Sequence, residues 1–124
     1  MKKQRPVNLN LLSIRFPVTA ISSILHRISG VVLFIGVPVL LWLLGLSLES
    51  QTGFEKASAF ISAGFGKFLF WAILTALAYH IIAGIRHLLM DAGIGETLSG
   101  GMNGARAVLV LGVIAAVLLG VWLW

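Results

Sequence analysis

The sequence predicts an all-α membrane protein with three transmembrane helices, at about residues 22–48, 68–90 and 105–124. Only 10% of the 124 residues are charged and 59% are hydrophobic, whereas a soluble domain carries about a quarter charged residues. The mean hydropathy is +1.03, and three nearly uncharged stretches each approach the ~20 residues that a spanning helix needs. We therefore expect a single transmembrane domain (residues 1–124), which leaves no room for a soluble catalytic domain.

The N-terminal segment, residues 1–19, is polar and basic and contains Pro6 and Pro17. It lacks the short apolar core and cleavage site of a signal peptide, so we interpret it as a mature cytoplasmic segment on the membrane surface or against a partner. A disordered basic tail fits its composition equally well. In the first span, Pro38 predicts a kink because proline cannot donate the helical hydrogen bond.

Two connections of different character separate the spans. Residues 49–67 have apolar side chains at helical spacing, which indicates a short surface helix. Residues 93–104 are polar and glycine-rich, without the strand and the Gly-Lys-Ser/Thr ending of a phosphate-binding loop. Small residues recur at every fourth position of the third span, namely Gly112, Ala116 and Gly120. They would permit either the close approach of a helix from another chain or ordinary packing within this chain.

The basic residues predict the orientation of the chain in the membrane. Most of them lie in or beside the N-terminal segment, and none follows Arg106. Because cytoplasmic flanks are rich in Lys and Arg, we expect the N-terminus and the second connection in the cytoplasm and the C-terminus on the periplasmic side. Membrane topology therefore explains the positions of the basic residues behind the net charge of +5. These residues do not form a patch interleaved with aromatic residues, so they do not indicate a nucleic-acid partner.

One face of the second span combines imidazoles with small residues. Its members are His80, Gly84, His87 and Asp91, flanked by Ala76 and Ala83. Polar groups are costly inside a membrane, so this face predicts a slot for a flat group that takes a nitrogen ligand, such as a haem. The chain has no cysteine, which excludes thiolate zinc sites, cysteine-bound iron–sulfur clusters and c-type haem attachment.

The expected topology gathers further polar residues at the cytoplasmic end. His26 and Arg27 begin the first span. We expect them at the level of Arg86 and His87, above the deeper His80. His80 and His87 lie about 10 Å apart along one helix, whereas imidazole nitrogens across one iron lie about 4 Å apart. With His26 expected near the surface, a second iron ligand would come from another chain.

Several alternatives remain at this point. His80 can be a hydrogen-bonded packing residue, and Arg86 and His87 can reach the interface without binding a ligand. Ser23 and Arg27 share a face that can hold a polar headgroup such as a quinone carbonyl. A carrier of two haems would need four intramembrane histidines, and a proton-coupled transporter usually has an acidic residue within a span. Neither requirement is met here, so a non-redox small structural membrane protein is the other class that fits.

Two motifs carry a resemblance to a known family. The first is Arg5-Pro6-Val7, then Leu11, then Ser23-x-x-His26-Arg27-x-Ser29. The second is His80-x-x-x-Gly84-Ile85-Arg86-His87-Leu88-x-Met90-Asp91. Over nearly its whole length the chain resembles the cytochrome b membrane-anchor subunit of bacterial succinate dehydrogenase (succinate:quinone oxidoreductase, complex II). Its third span is generic.

The resemblance implies a six-helix bundle with a second small membrane-anchor subunit in the bacterial inner membrane, holding one haem b between the two chains. His80 would be one axial ligand of the haem iron, and a histidine of the partner would be the other. His26, Arg27 and His87 would lie near the haem propionates. Ser23 and Arg27 would line a ubiquinone site, with Asp91 near the quinone or its proton path.

The resemblance also implies the other partners. A flavoprotein subunit and an iron–sulfur subunit would pass electrons from succinate to ubiquinone, and membrane lipid would surround the spans. This chain would hold no succinate-oxidising centre and no catalytic residue of its own. The anchor of a fumarate reductase, which has the same architecture running in reverse, is the alternative, although the ubiquinone-type motif favours succinate oxidation.

Overall fold

The computed structural model describes Val7 and residues 9–124. Four helices follow one another: α1 (Val18–Glu49), α2 (Gln51–Ser62), α3 (Gly64–Asp91) and α4 (Leu98–Leu123). The helices α1, α3 and α4 are long and apolar enough to cross a membrane. The predicted all-α fold with three spans is thus confirmed over the described part of the chain. Residues 1–6 and 8, which include the Arg5-Pro6 part of the first motif, lie outside it.

Helix α1 begins earlier than predicted, at Val18 instead of residue 22. Pro17 is its N-terminal cap residue, and the Pro17 carbonyl accepts from the N–H groups of Ala20 (3.0 Å) and Ile21 (3.2 Å). A proline just before the first turn lacks only an N–H that would have no helical partner in any case. The helix continues through Pro38 to Glu49.

The predicted surface helix in the first connection is confirmed as α2. Ser50 separates it from α1 with an extended backbone, and the Ser50 hydroxyl accepts from the Gly53 N–H at 3.0 Å. Gly53 is packed so closely that a Cβ there would strike the Leu46 carbonyl oxygen. An edge-on contact between Trp42 and Phe60, with ring centroids 6.5 Å apart, adds to the packing of α2 against α1.

The glycine-rich connection is shorter than predicted, because α4 begins at Leu98 and not near residue 105. The Thr97 side chain caps the helix by accepting from the Gly100 N–H at 3.0 Å. Glycines disfavour helices in water, which is why the sequence suggested a loop here. In the structure the loop spans residues 92–97, and Gly93 and Gly95 turn the chain with positive φ angles of 83° and 74°.

The interior of the bundle is small. Its buried apolar side chains are Leu43, Ala57, Ile73, Ala83, Ala105 and Val108. Most large apolar side chains of the three spans face outward. This is expected for helices surrounded by lipid tails, because lipid is as apolar as leucine and gives no reason to bury such side chains.

The small residues of the third span contact aromatic side chains of α3. A Cβ at Gly112 would lie 2.6 Å from Cδ2 of Tyr79, and the Ala116 carbonyl accepts from Trp71 Nε1 at 2.9 Å. A Cβ at Gly120 would lie 3.6 Å from Trp71 Nε1. Of the two uses that the sequence left open, the structure shows packing within the chain.

Candidate functional site

Three imidazoles meet where the first turns of α1 lie against the last turns of α3. The rings of His26 and His80 are stacked, with centroids 4.1 Å apart and planes inclined by 19°. The ring of His87 lies 5.0 Å from His26 at an angle of 43°. Among the described residues, His26 Nε2 is buried and has no hydrogen-bond partner. The cluster therefore presents a buried polar nitrogen to a group that this part of the chain does not supply.

His26 lies deeper than expected. Because α1 begins at Val18, His26 is eight residues inside the helix, about 12 Å along its axis. His80 lies eleven residues before the end of α3 at Asp91, about 16 Å, and His87 only about 6 Å. His26 thus sits between the levels of His87 and His80 and contacts both rings, instead of lying at the level of His87. The sequence argument placed it too close to the surface because it placed the start of the helix too late.

Hydrogen bonds fix which nitrogen of His80 carries the proton. His80 Nδ1 lies 2.9 Å from Ser29 Oγ and 3.2 Å from the His26 carbonyl oxygen. A carbonyl oxygen only accepts, so Nδ1 is the donor. Ser29 donates its single hydroxyl hydrogen to the same His26 carbonyl at 2.6 Å and accepts from His80. The neutral ring then has its free lone pair on Nε2, which bonds to no group of the described chain.

Small residues make room for the rings. A Cβ at Gly30 would lie 3.3 Å from His80 Cε1, which is tighter than ordinary contact. A Cβ at Gly84 would lie 3.8 Å from His26 Nε2, and Ala83 is 1% exposed. The small-residue face predicted on the second span therefore does lie at the imidazole cluster, and Gly30 of α1 completes it from the other side.

Arg86 does not join this cluster. Its Nη2 donates to the Gly101 carbonyl at 3.0 Å, and a Cβ at Gly104 would lie 3.2 Å from its Nε. Arg86 lies near the level of His87, as the sequence predicted, but its side chain does not face the imidazoles. Six residues beyond His80, it is turned about 240° around the helix and faces α4 instead. Its Nε is buried and has no partner among the described residues.

The residues predicted to hold a quinone lie within about one helical turn of a histidine of the cluster along α1 or α3. Ser23 and Arg27 are one helical turn apart on α1, with Ser23 partly exposed and Arg27 exposed. Asp91 is exposed at the last position of α3. No side-chain hydrogen bond links any of the three to another residue that the structure describes, so their side-chain polar groups are available to an outside partner. No group of three or more His, Cys, Asp or Glu residues in the described chain could hold a free metal ion.

Sequence reasoning missed a regular seam along α1. The buried residues of this helix recur at every seventh position: Ser22, Ser29, Gly36 and Leu43. Tyr79 of α3 donates to the Ser22 carbonyl at 3.0 Å and lies 3.4 Å from the Ser22 hydroxyl. The signal was visible in the sequence as three small residues, Ser22, Ser29 and Gly36, at a period close to two helical turns.

Comparisons with known proteins agree with each other. The family model described as succinate dehydrogenase/fumarate reductase transmembrane subunit matches residues 1–120. The succinate dehydrogenase cytochrome b556 subunit of Coxiella burnetii is 43% identical, over the full length of both chains. The protein of the same name from Paracoccus denitrificans is 33% identical, over 92% of this chain and 88% of its own. The succinate dehydrogenase cytochrome b560 subunit of Reclinomonas americana is 34% identical, over 75% and 68%.

Proposed function

Because this chain belongs to the family of succinate dehydrogenase/fumarate reductase transmembrane subunits, we propose that it is the cytochrome b anchor of a succinate dehydrogenase. In this role it helps to hold a haem b and to form the site where ubiquinone is reduced. Its relatives in Coxiella burnetii and Paracoccus denitrificans are named for succinate oxidation. Their names favour this direction over fumarate reduction, which the family description also covers.

The observation that carries the proposal is the bonding of His80. Its Nδ1–H is held by Ser29 and by the His26 carbonyl, so Nε2 is the nitrogen that can bind iron. Metal-bound histidines nearly always donate their other N–H in this way. The buried, unpartnered Nε2 of His26 also fits a site for a further polar group. When bound, a haem supplies a one-electron redox centre within the membrane.

A second ligand to the haem iron would come from another chain. The rings of His26 and His80 are stacked face to face, whereas two ligands on opposite sides of an iron direct their nitrogens toward each other across about 4 Å. His26 therefore does not pair with His80. A histidine of a second small membrane-anchor subunit would provide the other ligand, and the outward apolar side chains of the spans offer surface for that subunit and for lipid.

His26, Arg27 and His87 bind the haem propionates. Two imidazoles and a guanidinium can give charge-assisted hydrogen bonds to carboxylates, which are stronger than neutral ones. His26 and His87 are in ring contact, and Arg27 follows His26 directly in α1. The three groups belong to one end of the bundle.

Ser23 and Arg27 bind the quinone, and Asp91 assists at its proton path. The Ser23 hydroxyl can donate to a quinone oxygen, while the Arg27 guanidinium stabilises the negative charge that develops as electrons arrive. Asp91, exposed at the end of α3, can take up protons from the aqueous side and pass them on. The accessibility of all three side chains, none of which is buried, supports this assignment.

The rest of the reaction belongs to the other subunits. A flavoprotein and an iron–sulfur subunit carry electrons from succinate to the quinone at the cytoplasmic side of the bacterial inner membrane. We place the N-terminus of this chain in the cytoplasm and its C-terminus in the periplasm because most of the basic residues lie in or beside the N-terminal segment and none follows Arg106.

A reduced-minus-oxidised optical spectrum of the complex, purified with its partner subunits, tests the proposal. We expect a b-type haem band in the wild type, altered or lost in His80→Ala. Ser22→Ala is the control, because it removes a buried polar side chain of the bundle to which we assign no contact with the haem. A wild-type complex without a b-type band, or a His80→Ala complex with an unchanged one, would overturn the proposal.

A further inference from the structure

We propose that Ser29 is a positioning residue for His80, and that Gly30 completes the seat in which the His80 ring is held. The Ser29 hydroxyl holds the ring with its proton on Nδ1 and increases the electron density that Nε2 offers to the iron. This inference rests on the proposed function, since it assigns a role to Ser29 only where His80 binds a haem.

The direction of the hydrogen bonds supports this role. Ser29 donates to the His26 carbonyl at 2.6 Å, and this donation makes its oxygen a better acceptor. The same oxygen accepts from His80 Nδ1 at 2.9 Å, and the carbonyl lies 3.2 Å from that nitrogen. The His80 N–H is thus shared by two acceptors. Partial withdrawal of this proton raises the basicity of the ring and favours ferric over ferrous iron.

An ordinary packing role does not account for Ser29. Serines inside helices often bond to a carbonyl of their own preceding turn, and this explains the bond to His26. It does not explain the second bond, to a side chain on another helix 51 positions away in sequence. Ser29 is only 5% exposed, so its hydroxyl is placed among protein groups by the packing of α1 against α3.

Gly30 provides the matching steric feature. A Cβ there would lie 3.3 Å from His80 Cε1 and 3.8 Å from His80 Nδ1. A methyl group would push the ring by a few tenths of an ångström. Gly45 is the matched control on the same helix, because a Cβ at Gly45 would meet nothing within 4 Å.

The seam of α1 also offers a control for the hydroxyl. Ser22 lies two turns before Ser29 and is likewise buried, at 1% exposure. It lies against Tyr79 and not against a histidine. Ser22→Ala therefore removes a buried hydroxyl from the same face of α1 without removing a bond to His80.

The experiment is a redox titration of the haem in the intact purified complex, with the electron paramagnetic resonance spectrum of the ferric state as a second readout. We expect Ser29→Ala to shift the haem midpoint potential upward and to change the ferric spectrum. Ser29→Thr, which keeps a hydroxyl, should restore both toward the wild type. Ser22→Ala should leave both unchanged. Gly30→Ala should change the ferric spectrum, while Gly45→Ala should not.

The outcomes separate this inference from the proposed function. If the wild type holds haem and His80→Ala alters it, but Ser29→Ala matches Ser22→Ala in potential and spectrum, the role of Ser29 is refuted and the haem site stands. If the wild type holds no haem, both fail. If the Ser29→Ala complex does not assemble, the test is the comparison of Gly30→Ala with Gly45→Ala. Identical ferric spectra from these two variants would refute the proposal that Gly30 helps to hold the His80 ring.

Discussion

Substituting Gly112 by alanine tests whether Tyr79 joins three helices. Tyr79 belongs to α3, its ring lies against Gly112 of α4, and its hydroxyl donates to the Ser22 carbonyl of α1 at 3.0 Å. A Cβ at Gly112 would lie 2.6 Å from Cδ2 and 3.2 Å from Cε2 of that ring. The ring cannot move away from α4 freely, because its hydroxyl is tied to α1.

The size of the effect follows from these distances. Ordinary carbon–carbon contact is about 3.5 to 4.0 Å, so the ring or α4 must shift by about 1 Å. Overpacking of this kind costs about 1 to 3 kcal/mol, and a shift that breaks the Tyr79 hydrogen bond adds about 1 kcal/mol. Alanine is better than glycine inside a helix by roughly 0.5 to 1 kcal/mol. The net expected destabilisation of Gly112→Ala is therefore about 1 to 3 kcal/mol.

The assay is unfolding of the purified complex by SDS in mixed micelles, followed by circular dichroism. Gly45→Ala is the control, because the added methyl group meets nothing within 4 Å, and it should not destabilise. Adding Gly112→Ala to a Tyr79→Ala background should have little further effect, since the ring is gone. An equal loss in both backgrounds, or a Gly112→Ala variant as stable as Gly45→Ala, would refute the reasoning.

Two other substitutions test separate contacts. Trp71→Phe removes the donor to the Ala116 carbonyl at 2.9 Å and should lower stability in the same assay by about 1 kcal/mol. Trp42→Phe is the control and should lower stability less, because the Trp42 indole makes no hydrogen bond within the described chain. Equal losses of stability in the two variants would contradict this expectation. Ser23→Ala should keep the haem spectrum and reduce quinone turnover by about 10- to 100-fold, as expected for the loss of a hydrogen bond to a charged intermediate. Turnover is measured with a soluble quinone analogue, and Ser22→Ala serves as the neighbouring control. Full turnover in Ser23→Ala would rule out a role of Ser23 in quinone reduction.

The sequence was sufficient for the architecture because composition decides it. Long apolar stretches predict spans, and the apolar spacing of residues 49–67 predicted α2. Helix boundaries were less accurate. The start of α4 at Leu98 was missed because Gly100, Gly101 and Gly104 lower the helix propensity of this segment. The advantage of their small size for close packing depends on the position of α3, which the sequence does not give.

The site was predicted in part for a similar reason. Periodicity placed His80, His87 and Gly84 on one face, which the imidazole cluster bears out. It could not give the depth of His26, which depends on where α1 begins and on the offset between two helices. Nor could it give the second partner of Ser29, because a bond between residues 51 positions apart depends on tertiary packing.

The seven-residue spacing of the α1 seam has a consequence for how this chain can vary in evolution. A strict repeat of seven keeps one face of a helix against its neighbour and winds the pair with a left-handed twist. Volume is restricted along that line: a Cβ at Gly36 would lie 2.9 Å from Ile73 Cγ1. The other positions of α1 are partly or fully exposed, and where they contact no other helix of the chain, one apolar side chain can replace another. Related sequences should therefore diverge rapidly at the outward positions of α1, and slowly along the seam and where α1 meets the imidazole cluster.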